Sequence, residues 1–166
     1  MRVWALIMAS VLAMPAAAQE SAFDPFPILA CLTDQDRTDS CVGTGALACM
    51  DAPGGGAVTE RLIACHQAEY AWWEGLLQAE AADMLDVEAA ADRILAASPH
   101  LSGRPPAAPL LAGTLAHFTL WRDSQCAYEA LQFWGIEAEP FVQAECLMRL
   151  TGDQVLTLRR IAAGGG

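Results

Sequence analysis

Apolar and polar positions along the chain follow the three-to-four-residue rhythm of amphipathic helices, and period-two alternation of β-branched residues is nearly absent. A short helix is expected from about Asp39 to Met50, closed by the turn signal Asp51-Ala52-Pro53-Gly54-Gly55-Gly56. A long helix follows from about Thr59 to Ala97. Its apolar stripe reads Leu62, Cys65, Trp72, Trp73, Leu76, Leu77, Met84, Val87, Ile94 and Leu95. Ser98-Pro99 ends it, because a residue before proline is pushed out of the helical region, and a proline-rich loop runs on to Pro109. A third helix is expected from about Leu110 to Trp134, with Leu111, Leu115, Phe118, Trp121 and Leu131 on or near one side, until Gly135 breaks it. Pro140 suits the first turn of a fourth helix, where its missing N–H costs nothing. That helix carries Phe141, Val142, Leu147, Leu150, Val155, Leu158 and Ile161, with Gly152 weakening its middle. Aromatic residues at this spacing belong to a core, so Trp72, Trp73, Phe118, Trp121 and Trp134 are expected in or near it.

The first residues break this rhythm. Arg2 is the only charge before Glu20; between them runs Val3 to Met14, wholly apolar but for Ser10, then Pro15 and Ala16-Ala17-Ala18. A positive start, a short apolar core and a small-residue end describe a secretory signal peptide cleaved after Ala18. The core is shorter than the roughly 20 residues a membrane-spanning helix needs, and no later run is long enough to span. Ile28-Leu29-Ala30-Cys31 loosely resembles a lipidation site, but Glu20, Asp24, Pro25 and Pro27 separate it from the apolar core. The expected organisation is a signal peptide over 1–18, one domain over 19–163 and a fraying glycine tail over 164–166. It implies a periplasmic or secreted location.

Charge then narrows the partners. The full chain carries −11, and losing residues 1–18 removes one arginine and no acid, leaving −12 and no lysine at all. Such a surface repels nucleic acid and anionic lipid and steers encounters towards basic partners.

Six cysteines, Cys31, Cys41, Cys49, Cys65, Cys126 and Cys146, lie in the exported part. An even number in an exported chain points to disulfides, and the gaps offer none of the paired spacings of a metal site. Of the fifteen possible connectivities, helix geometry favours one. Cys126 and Cys146 are equally far from Ile136 in the turn between the last two helices, so each lies roughly 15 Å from that turn on facing helices. The same test joins Cys49 to Cys65 across the glycine turn and leaves Cys31 for Cys41. The fold class that follows is all-α: a small disulfide-stapled antiparallel helical bundle or hairpin array.

Catalytic patterns are not found. The acids Glu60, Glu69, Glu74, Glu80, Asp83, Asp86 and Glu88 are expected mostly on a solvated helix face. His66-Gln67-Ala68-Glu69 reverses the Glu-x-x-His order of di-metal bundles and occurs once. No nucleophile elbow, phosphate-binding glycine loop or His-Glu-x-x-His is present, and His100 and His117 have no sequence-adjacent partners. The reading is of a non-enzyme with no cofactor and no metal. One polar cluster interrupts the third helix. Arg122 and Asp123 are adjacent and diverge around it, so Arg122 is expected to pair with another helix, at Glu69 or Glu74.

That cluster carries a resemblance. Phe118-Thr119-Leu120-Trp121-Arg122-Asp123-Ser124-Gln125-Cys126 is similar to the W-x-x-Y-R-D-x-x-C motif of the LprI-like lysozyme-inhibitor domain family, with Phe118 and Trp121 where the family favours Trp and Tyr. Cys146 followed by Thr151 resembles the second cysteine and threonine of that family. The Cys41 to Cys49 stretch, the glycine turn, and Cys65 through Glu69 to Trp72-Trp73 look like a longer variant found in exported alphaproteobacterial proteins. The resemblance implies a non-enzymatic module that binds and blocks lysozyme or a related muramidase, a strongly basic enzyme, by protein–protein contact. Candidate contacts are the Pro99–Pro109 loop and the Gly135–Glu139 turn with Glu137 and Glu139. The residues leave open a cell-envelope interaction module with no lysozyme role, and they do not set the oligomeric state.

Overall fold

The structure, a computed structural model, describes residues 23–34, 40–53, 56–98, 100 and 103–164. The expected signal peptide and its cleavage point lie outside the described residues, as do the last two glycines. Among the described residues the elements are all helices: α1 (Phe26–Leu32), α2 (Thr44–Asp51), α3 (Val58–Ala96), α4 (Ala107–Leu131) and α5 (Glu139–Ala162).

Three long helices make the body. α3 and α5 run parallel: His66 meets the Phe141 ring edge-on at 5.0 Å, and farther along Arg159 Nη2 reaches Glu80 at 2.8 Å. α4 runs antiparallel to both, since its first amides meet Asp92 near the end of α3 and Arg122 meets Glu74 near its middle. Consecutive long helices are therefore antiparallel, as short connections require. The apolar stripe of α3 packs Cys65, Trp73 and Leu77 against Val155, Leu156 and Leu158 of α5. α1 and α2 cover one side of this seam with Ile28 and Ala46.

Two glycines set the approach of the small helices. Gly43 has φ +94°, a left-handed conformation that costs glycine little, and it starts α2 at Thr44, later than the expected Asp39. Gly152 does more than weaken α5. It is buried, and a Cβ there would lie 2.6 Å from Val42 Cγ2 and 3.2 Å from Trp73 Cε2. Its missing side chain lets the segment before α2 sit against the α3–α5 seam.

The disulfides are Cys31–Cys41, Cys49–Cys65 and Cys126–Cys146, with Cα atoms 5.5, 5.7 and 5.4 Å apart. The last two are the pairs favoured by equal distance from the turns, and the first is the pair left over. Cys31 is thus held in a crosslink, against the lipidation reading.

Five expected core positions are corrected. Val87 and Ile94 are exposed because α5 ends at Ala162, so Val87 meets only its last residues and α3 runs on beyond it. On α4 the inward stripe is Phe118, Arg122, Cys126 and Ala130, each one turn from the next. Arg122 takes the inward direction, so Trp121 (52% exposed) and Leu131 turn to solvent. Trp134 follows the end of α4 and is 74% exposed. Trp73 is fully buried, and Trp72 and Phe118 pack partly buried against the core.

Candidate functional site

Two buried polar clusters anchor the helices, and both rest on acids of α3. Glu69 was grouped with acids expected mostly on a solvated face and was one of two candidate partners for Arg122. It is instead fully buried, on the same stripe as Cys65 and Trp73. Its carboxylate accepts the backbone N–H groups of Gly43 at 2.6 Å and Ala46 at 2.5 Å, and the Trp73 indole N–H at 2.8 Å. Gly43 is the N-cap residue of α2 and has no side chain to cap with, so Glu69 supplies from α3 the acceptor this helix start lacks. The positive end of the α2 dipole and three N–H donors replace water around the buried carboxylate.

Arg122 is the second anchor, and its partner is Glu74. Nη1 donates to Glu74 Oε2 at 2.5 Å and to Thr151 Oγ1 at 3.1 Å, while Nε donates to Asp123 Oδ1 at 2.9 Å. The guanidinium lies 5.5 Å from the Tyr70 ring centroid and 5.7 Å from that of Phe118. Burial by itself lowers the Arg122 pKa, but the hydrogen bonds to Glu74 and Asp123 outweigh it and leave it above the ordinary arginine value. Burial raises the Tyr70 phenol, against the opposing pull of Arg122. The motif residues Phe118, Arg122, Asp123 and Thr151 thus come together as a lock across α3, α4 and α5. The Cys126–Cys146 crosslink sits one turn beyond Arg122 on α4.

From this lock the α4–α5 turn projects. Its backbone closes on itself: Phe133 N–H to Ala130 O at 2.9 Å, Ile136 N–H to Phe133 O at 3.1 Å and Glu139 N–H to Ile136 O at 3.1 Å. Gly135 (φ +76°) makes the reversal, and its N–H donates to Glu139 Oε2 at 3.1 Å. Glu139 is therefore turned back onto its own turn, whereas Glu137 is exposed. Arg149 of α5 pairs with Glu129 of α4 at 3.3 Å below the turn. On this stapled hairpin Phe133, Trp134 and Ile136 face solvent, and the outer side of α4 continues the surface with Tyr128 and Leu131.

The other candidate loop, Pro99–Pro109, is described only in part. Its later portion is tied to α3 by Asp92, whose two carboxylate oxygens accept the N–H groups of Ala107 and Ala108 at 2.9 Å each. These are the first amides of α4, and the bonds hold the Asp92 pKa below the ordinary carboxylate value. His100 and His117 are exposed. His66 is buried, with Nδ1 donating to Leu62 O at 2.8 Å. Among the described residues no group of three or more His, Cys, Asp or Glu side chains is placed to hold a metal. No described helix is long and apolar enough to cross a membrane.

The sequence resemblance singled out the Arg122 motif and Cys146, which the structure places in the anchor. It did not single out Phe133 or Ile136. Their signal was local: apolar side chains crowded around a turn glycine, where polar residues are usual.

Comparison with known proteins gives one family. The model of a family described as Lysozyme inhibitor LprI matches residues 49–158, from the end of α2 through most of α5. No curated protein matches, and no solved structure matches.

Proposed function

The chain belongs to the lysozyme inhibitor LprI family, and from that premise we propose that it is an exported inhibitor-type binding protein that docks on a basic muramidase through its α4–α5 turn. The observation that carries this reading is the exposure of Trp134 and Ile136, with Glu137 beside them, on a turn stapled by Cys126–Cys146. Exposed tryptophan is the residue type that most often dominates an interface when it enters a partner's cleft. A hairpin already fixed by a disulfide and its own backbone hydrogen bonds loses little conformational entropy on docking. Acidic charge over the whole chain speeds encounter with a basic enzyme and makes the rate sensitive to salt.

The three disulfides support export to an oxidising compartment, together with the signal peptide read from residues 1–18. The motif residues serve the fold in this reading: they lock α4 and α5 to α3 and so fix the direction in which the turn points. In this reading the polar clusters tie helices together and the protein acts by contact.

The test is protection of a cell-wall suspension from lysozyme by the oxidised protein, followed by turbidity at low and physiological salt. Dose-dependent protection approaching one-to-one stoichiometry, stronger at low salt, is expected. No protection at either salt would reject the lysozyme role and leave a cell-envelope interaction module.

A further inference from the structure

The far end of the bundle, away from the α4–α5 turn, has a feature that the proposed inhibitor contact does not use. Arg159 of α5 lies beside Glu80, and α5 ends at Ala162, while α3 continues to Ala96. The step this leaves contains a cavity of about 350 Å3. Its lining is apolar at Met84, Val87 and Ile161 and acidic at Glu80, Asp83 and Glu88, with no cation among these residues. Val87 is 68% exposed and Ile161 56%, a large solvent contact for β-branched side chains. We propose that this groove is a second recognition site, which takes an arginine or lysine side chain presented by a protein.

Three observations lead to that occupant. Apolar surface beside carboxylates matches a side chain that is itself amphipathic, because lysine and arginine lay a hydrocarbon stem on apolar surface and keep the charge at the edge. One carboxylate of this face already holds a guanidinium: Arg159 sets Nε and Nη2 on Glu80 Oε1 at 2.9 and 2.8 Å. Glu80 is thereby neutralised, whereas among the described residues Asp83 and Glu88 have no ion-pair partner. They bracket Met84 and Val87 along α3, so a cation reaching either of them would lay its stem on these apolar side chains. The volume lies at the small end of the roughly 300–1,000 Å3 over which ligand pockets range, enough for one side chain and not for a globular element. A neutral apolar residue would cover the apolar side chains but gain no attraction from either carboxylate.

The test uses the oxidised protein with methyl-labelled side chains and three blocked tripeptides, Gly-Arg-Gly, Gly-Lys-Gly and Gly-norleucine-Gly, at low salt. The arginine and lysine peptides are expected to shift the methyl signals of Met84, Val87 and Ile161 saturably, and the norleucine peptide is not. Asp83→Asn with Glu88→Gln, both on the surface, is expected to weaken that titration at least tenfold with an unchanged melting temperature. Glu137→Gln, at the other end of the bundle, is expected to leave it unaltered. Equal shifts from the norleucine peptide, or an unaltered titration in the double variant, would overturn the proposal. Because the probe is a peptide, a failure of lysozyme inhibition leaves this result standing by itself.

Discussion

The carboxylate of Glu69 accepts the indole N–H of Trp73 at 2.8 Å, one helical turn along α3, while the same group caps α2 through Gly43 and Ala46. One buried acid thus orients the largest core side chain and fixes the start of a neighbouring helix. Glu69→Gln keeps the shape but brings an amide N–H2 against N–H donors, so at least one buried donor loses its acceptor. The expected loss is about 2 kcal/mol of stability. Urea unfolding with the disulfides intact measures it; an unchanged midpoint would show that the carboxylate is dispensable.

The Arg122 cluster predicts a different pattern. Arg122→Ala leaves Glu74 and Thr151 facing a vacated buried site, at an expected cost of about 3 kcal/mol or more. Replacing both partners, Arg122→Met with Glu74→Leu, removes the charge along with its partner and is expected to recover most of that loss. Thermal melts of the single and double variants separate the two cases. A double variant no more stable than the single one would contradict this account of the cluster.

These clusters show what could be seen beforehand. The helix class, the bounds of α3 within one residue at each end and the cysteine pairs were legible, because periodicity, proline and turn symmetry act locally. Glu69 was misread because a glutamate on a long helix usually faces water. Its position midway between Cys65 and Trp73, four residues from each, was the available signal. α1 was missed because seven residues, with a proline at the second, are too few to show a period. Trp121 and Trp134 were misplaced because periodicity gives a face but not which face turns inward. On α4 a buried arginine, Arg122, took the inner side and left Trp121 outside, and Trp134 lies beyond the end of the helix.

Asp92 makes stability depend on pH in a defined direction. Hydrogen bonds from Ala107 and Ala108 lower its folded-state pKa, so the contribution is present above the ordinary carboxylate value and is lost as pH falls through the folded one. Asn resembles the protonated acid in shape and charge. Asp92→Asn is therefore expected to melt lower than the parent at pH 7, with the gap shrinking below about pH 4. A gap that stays constant from pH 7 to pH 2 would remove Asp92 as the cause.

The Cys126–Cys146 crosslink closes a 20-residue separation at the base of the projecting turn. Its replacement by two alanines is expected to cost about 3 kcal/mol of stability. Lysozyme inhibition is expected to weaken as well, at temperatures where the variant remains folded, because the turn must then be ordered on docking. Full inhibition by a folded variant would show that the staple serves stability alone.

The most direct measurement compares lysozyme inhibition by the parent protein with that of Trp134→Ala/Ile136→Ser. Both residues are exposed, so the fold and melting temperature should be retained. The account predicts near-stoichiometric inhibition by the parent and a loss of about 100-fold in the variant. Equal inhibition by the two proteins would contradict docking through the turn, and no inhibition by the parent would contradict the lysozyme role itself.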